Sequence, residues 1–303
     1  MADLVNPPGT PQAPTRSRPP LPEGWRPTLL SLRLARKHPK ISRALIRWEM
    51  YRAPKATGPG DLSDLLAPGQ RRPADFPAYY IANPVHHMKG LHWMHPSMGY
   101  RLERMAEDFP LGKREQIRWW VESQVLDRGV RPRRILEVGA GTGATAFVYA
   151  QVFPDAEVIG VDLSPSVLRW ARRRADELGI RNVSFYHMDA GDLSAFDDGS
   201  FDVVHESHLL HEMPGYQIRR TVSEMVRVCA PGGFLGFFDW AIPENERDWR
   251  QREGMVRNNV EPFMLDYSRT DHPRLLTELD CEDVVLVERH SQSASWRARK
   301  KVA

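Results

Sequence analysis

"ILEVGAGTGATA", residues 135–146, decides the architecture of this 303-residue chain. The stretch from Ile135 to Val138, apolar but for Glu137, breaks at Gly139 into a turn that also carries Gly141 and Gly143, and an apolar segment of helical length follows. Glycine admits positive φ and lets the backbone come close to a bound molecule. A buried strand feeding a helix through such a turn is where open parallel sheets bind nucleotides. The rest of the chain extends the pattern. Strands are expected at 134–140, 156–162, 182–189, 201–207 and 234–240, with helices at 145–153, 164–179 and 216–229 between them. The helix at 164–179 has Ser164 as its N-cap, Pro165 at the first helical position and Gly179 just past its end. Strands alternating with helices imply an α/β fold built on a doubly wound, mostly parallel sheet.

Composition bounds the rest. Hydrophobic content of 41% is enough for one large domain or a domain with a cap. The net charge of +3 is mild, and the basic clusters at 131–134 and 172–174 are too short to read as a nucleic-acid tail. Two cysteines, Cys229 and Cys281, cannot make a disulfide framework or a four-thiolate metal site, and the cytoplasm is the simplest compartment. No apolar run is long enough to span a bilayer. Residues 1–27 are proline-rich and polar and read as a disordered tail; 28–110 read as a helical N-terminal cap that contributes to the substrate region. The catalytic domain is expected over 111–303. Within it, about 241–280 is too long for a simple connection and reads as an inserted helical lid.

Two cofactors compete for the glycine turn. Gly139, Gly141 and Ala144 satisfy the relaxed dinucleotide pattern, with Asp162 at the distance expected of a ribose ligand. Against NAD stand Glu137, two residues before the first glycine, Asp189 at the end of the third strand, and Pro231-Gly232-Gly233 before the fifth. With these residues in this order, 111–303 resembles the class I S-adenosylmethionine-dependent methyltransferases, especially the small-molecule branch related to ubiquinone and menaquinone biosynthesis. The resemblance implies a Rossmann-like, seven-stranded sheet whose last strand, 295–300, pairs antiparallel with 283–290. It implies S-adenosyl-L-methionine as cofactor. Glu137 and the backbone of Gly139, Gly141 and Gly143 would face its methionine part, and Asp162 its ribose hydroxyls. Leu163 would pack on the adenine, Asp189 would accept from the adenine amino group with the Ala190 backbone beside it, and Glu206 joins this set at the fourth strand's end.

"HESHLLHE", 205–212, suggests a metal site. The spacing excludes a zincin, which needs two histidines four apart on one helical face. A mixed His/Glu zinc or iron set is left open by the residue types. The resemblance instead puts this stretch beside the methyl acceptor, with no metal. His208 is the first candidate general base and His92, in the "HHMKGLHWMH" segment of the cap, the second; His211 is expected to fix the loop or line the pocket. The alternative for each is a neutral, hydrogen-bonded wall residue. The expected activity is methyl transfer to oxygen or carbon of a small molecule. Methylation of RNA or protein, and a non-catalytic cofactor-binding partner subunit, are the alternatives. Nucleic acid is disfavoured by the balanced charge, and a homodimer is left open.

Overall fold

The computed structural model describes residues 61–82, 98, 99, 102, 103, 114–257, 261–289 and 293–302. Much of the expected cap, including His92, and the whole expected tail lie outside the described residues. The strands are β1 (Arg134–Val138), β2 (Glu157–Asp162), β3 (Val183–His187), β4 (Phe201–Ser207), β5 (Cys229–Trp240), β6 (Cys281–Arg289) and β7 (Ser293–Lys300). They form one sheet in the order β3-β2-β1-β4-β5-β7-β6, parallel from β3 to β5 and antiparallel at β7 and β6. The order reverses between β1 and β4, and the crevice beyond those strand ends is where such sheets hold ligands.

Alternation along each strand builds two cores. Leu136, Val138, Val204 and Leu235 belong to one cluster; Ile135, Val158, Val203 and Phe234 belong to the other. A sheet buried on both faces needs such near-continuous apolar strands. In chain order the helices are α1 (Ala78–Ala82), α2 (Arg114–Val121), α3 (Ala144–Val152), α4 (Pro165–Leu178), α5 (Gly215–Val228), α6 (Glu246–Arg257), α7 (Met264–Arg269) and α8 (His272–Glu278). The last three make up the helical insertion expected between β5 and β6. Their attachment is specific: Tyr267 Oη donates to Trp240 O at 2.8 Å, and Arg252 to Ala241 O at 3.0 Å.

Several local readings change. β3 ends at His187, so Asp189 lies beyond the strand instead of closing it. The Asp189 carboxylate turns back onto the Gly191 N–H, which bends the chain away from the ladder. β5 starts at Cys229, with Pro231–Gly233 accommodated as a register irregularity inside it. Ser164 holds the N-cap position of α4 without a side-chain cap bond; its N–H donates to Asp162 Oδ1 instead. The helix expected at 111–127 is α2 continued by a π-helical turn, Glu122–Leu126. Among the described residues the cap contributes a 3-10 turn, Ser63–Leu65, α1, and the helical residues 98, 99, 102 and 103, of which Glu103 accepts from Trp170 and Arg174 of α4; the chain from 66 to 77 is a strap without regular structure.

Candidate functional site at the switch point

The glycine turn is shaped by backbone demands. Gly139, Gly141 and Gly143 have φ of 72°, 52° and 80°. A Cβ at Gly139 would lie 2.8 Å from Leu209, and one at Gly143 2.6 Å from Phe185, so neither place has room for a side chain. At Gly141 nothing stands within 4 Å, so its backbone borders open space. The turn is tied to β2, with the Gly139 and Ala140 N–H groups both donating to Val161 O.

Two carboxylates border it, and a third stands beyond β3. Glu137 is buried in β1, and its Oε2 accepts from the Ala146 N–H at 2.7 Å, satisfying the first turn of α3. Burial pushes its carboxyl up to about 8, against the lowering bonds from Thr145 and Ala146. Asp162 ends β2 and accepts from Gly141 N–H at 2.9 Å and Ser164 N–H at 2.8 Å. Burial raises its pKa, with those backbone bonds opposing. A carboxylate offers about four lone-pair sites, so Asp162 keeps acceptor capacity on both oxygens. Asp189 is buried at the far side, and its pKa is likewise raised by burial. Leu163 links the two: its carbonyl accepts from His187 Nε2 at 2.9 Å, and Ala190 is buried next to Asp189. A cleft of about 620 Å³ opens at Met188 and Asp189, roofed by strap residues that include Phe76 and by Tyr79 of α1. A larger groove, about 880 Å³, runs over the outside of α5 between surface charges such as Asp198 and Arg227. Neither cavity includes the glycine turn or Asp162; the smaller is the one that Asp189 lines, whereas Arg227 in the larger is already paired with Asp198 and Glu224.

Glu206 does not join that cleft. It is fully buried on β4, opposite Val138 and Phe237, and its Oε2 accepts from the Leu209 N–H at 3.1 Å. Burial and then the Asp239 charge push its pKa well up. Alternation along β4 turns Glu206 into one core while His205, beside Glu137, faces the other.

The histidines separate into three environments. His205 is buried against Trp120 and Tyr149, ring centroids 4.9 and 5.6 Å away, and burial drops its pKa to about 3. His208 begins the loop after β4 in the left-handed region, at φ 56°, where a non-glycine residue is strained. Its Nδ1 is 3.3 Å from Ser207 Oγ, and its buried Nε2 makes no hydrogen bond. Burial lowers its pKa to about 4, so the ring is neutral near pH 7. His211 is different again. Burial alone would lower its pKa, but Nδ1 lies 2.6 Å from Asp239 Oδ1, and that carboxylate pushes it up to about 10. The ring is an imidazolium paired with Asp239. His211, Glu212 and Glu261 offer ligand atoms within 4.8 Å of one another. A cation there would first have to displace the proton on His211.

The lid and strap meet above this loop, where Tyr79 of α1 packs edge-on against Phe263 of the lid at 6.0 Å. Burial, then the charges of Asp189 and, more weakly, Glu212, raise the pKa of the Tyr79 phenol. Sequence reasoning singled out His208 and placed His211 in the loop. It missed Asp239, Glu261 and Gln217, which reach the site from β5, the lid and α5. Asp239 carries a weak signal, as the lone acid closing the apolar run "FLGFFDW".

Comparison with known proteins follows this geometry. Residues 135–233, from the start of the glycine strand to the Pro-Gly-Gly of β5, match the methyltransferase domain family. This segment resembles a methyltransferase domain. Its relatives include demethylmenaquinone methyltransferase of Thermus thermophilus, 35% identical over 127 residues, covering 42% of this chain and 56% of that protein. The Listeria welshimeri enzyme of the same name is 32% identical over 136 residues, 45% of this chain and 56% of its own. Methyltransferase str3 of Strobilurus tenacellus is 37% identical over 106 residues, 35% of this chain and 34% of that one. The chain thus spans about half the length of the demethylmenaquinone methyltransferases it matches. In fold, the chain is similar to an O-methyltransferase family protein from Burkholderia thailandensis (TM-score 0.51, 16% identity, 68% of this chain and 63% of that chain). A Pyrococcus horikoshii protein is similar too (TM-score 0.50, 19% identity, 67% and 98%). Both likenesses concern the Rossmann-like fold alone. Among the described residues no helix is long and apolar enough to cross a membrane.

Proposed function

We propose that the protein transfers a methyl group from S-adenosyl-L-methionine to oxygen or carbon of a small-molecule acceptor, without a catalytic metal. One observation carries this reading. Three positive-φ glycines follow β1, the Asp162 carboxylate at the end of the adjacent β2 accepts from one of them, and Asp189 stands just beyond β3 on the same side of the sheet, within a segment that matches the methyltransferase domain family. The names of the relatives, which state demethylmenaquinone as the methylated molecule, support a small-molecule acceptor.

The residues present fit the cofactor. The open backbone at Gly141, with Gly139 and Gly143, suits its methionine part, and Asp162 has spare lone pairs for the ribose hydroxyls. Leu163 and Ala190 would flank the adenine and Asp189 would accept from its amino group. Glu137 serves the site indirectly, by holding the start of α3, and Glu206 by holding the Leu209 N–H. Bound S-adenosylmethionine supplies an already activated sulfonium methyl. The protein's own work is therefore alignment, which alone lowers such a barrier greatly. A hydroxyl acceptor must also lose its proton, and His208, neutral and with a free Nε2, would take it there. His92 stays the second candidate base. The imidazolium of His211 holds its proton too firmly to serve as a base near neutrality.

In this reading the cap segment 78–109 and the lid (241–280) close over the acceptor, on a catalytic domain of 111–303. The Tyr79–Phe263 contact supports such closure. Two free buried cysteines suit a reducing cytoplasm. The test is transfer of labelled methyl from S-adenosylmethionine in cell extract. Label in low-molecular-weight products supports the proposal; label in RNA or protein, or none at all, refutes it.

A further inference from the structure

We infer that Gln217 is a positioning residue that aims the Asp189 carboxylate at the ring amino group of the bound adenosyl moiety, and so makes this site prefer an amino-purine to an oxo-purine. The inference rests on the cofactor reading above and extends it to a side chain outside the sequence motifs.

Gln217 lies in the first turn of α5, where its own N–H donates to Pro214 O at 2.8 Å, and it is buried at 3% exposure. Its Nε2 donates to Asp189 Oδ1 at 3.2 Å. The same oxygen accepts from the Gly191 N–H at 2.9 Å. The amide is pressed against Gly191, whose added Cβ would fall 2.3 Å from Gln217 Nε2, so a glycine is required for the contact. Oδ1 is thus held by two donors from two different elements, a helix and a loop. The described hydrogen bonds leave Oδ2 without a protein donor, on a residue that lines the 620 Å³ cleft together with Gln217 itself.

The chemistry follows from that asymmetry. An ionised carboxylate only accepts, so Oδ2 pairs with a ring amino group and opposes a ring carbonyl. Burial raises the Asp189 pKa, while the Gly191 bond and Arg220 counter it. A side-chain donor on Oδ1 adds to the ionised form and fixes the carboxyl plane. Without it the carboxyl is free to rotate, or to keep its proton and donate to a ring carbonyl, and the discrimination narrows.

The experiment measures binding of S-adenosyl-L-homocysteine and of S-inosyl-L-homocysteine, which carries a ring carbonyl in place of the amino group, by calorimetry. Wild type should prefer the adenosyl form by about 10- to 100-fold, the value of one charge-assisted hydrogen bond. Gln217→Met, which keeps the shape and removes the donor, should shrink that ratio at least about fivefold while still binding the inosyl form. A purely structural role would weaken both ligands alike and leave the ratio intact, and that result overturns the inference. If Gln217→Met does not fold, Gln217→Ala removes the same donor and is read in the same way. A wild type that binds both ligands equally would remove the role of Asp189 in base recognition, and with it that of Gln217. Binding of neither ligand would instead reject the cofactor reading itself.

Discussion

Replacing Asp239 with asparagine should produce a stability loss with a particular pH signature. The His211–Asp239 pair is buried, with 2% and 6% side-chain exposure at Asp239 and His211, so solvent screens it little. His211 titrates near 6.5 when unfolded and is pushed up to about 10 when folded. That difference corresponds to about 5 kcal/mol at 1.36 kcal/mol per unit. Removing one member of a buried ion pair costs about 3–5 kcal/mol, which agrees. The folded-state pKa lies above the unfolded one, so the contribution is complete below about pH 6.5 and is lost as pH rises toward 10. Urea unfolding of both proteins across that range should give a gap of about 3–5 kcal/mol at pH 6, closing by about 1.4 kcal/mol per pH unit above 6.5. Titrating groups that do not feel the Asp239 charge cancel in the difference. A gap that stays constant, or widens, from pH 6.5 to 10 would refute the assignment of His211 as a buried imidazolium.

Three further outcomes are expected. Gly143→Ala places a side chain at φ 80° and 2.6 Å from Phe185, so differential scanning calorimetry should show a loss of about 1–3 kcal/mol with weakened S-adenosylmethionine binding; an unchanged melting temperature would contradict the packing argument. For a hydroxyl acceptor, His208→Ala should lower kcat by about 10²–10⁴-fold with little change in cofactor affinity, and the wild-type acidic limb should fall only as pH approaches about 4; full activity of the His208→Ala, His92→Ala double variant would rule out both bases. EDTA should leave turnover unchanged, and tightly held zinc or iron lost together with activity in Glu261→Gln would show that His211, Glu212 and Glu261 form a working metal site.

What the sequence made legible was local. The glycine turn, Pro165 at the start of α4, Gly179 at its end and the alternation of apolar strands with helices are all written in consecutive residues. Asp162 was readable because it directly follows the apolar run of β2. The place of Asp189 beyond the strand was not readable, since the bend depends on a bond to Gly191. The remaining features depend on contacts between distant segments. His211 becomes an imidazolium through Asp239, 28 positions away, and Gln217 reaches Asp189 across the same separation. Glu206 lies in the interior because the strand's two-residue period sends it there, and nothing local shows that side in advance. The strained backbone of His208 is likewise invisible in its neighbours, because no pattern of residue types requires a histidine at positive φ.

The central claim is that the switch-point cleft holds S-adenosylmethionine and not a nicotinamide dinucleotide. Thermal unfolding with each ligand in turn tests it most directly. At a hundredfold excess over Kd, S-adenosylmethionine or S-adenosylhomocysteine should stabilise the protein by about 2.7 kcal/mol, NAD should leave it unchanged, and Asp162→Ala should remove most of the shift. An equal or larger shift with NAD, or none with S-adenosylmethionine, would contradict the account.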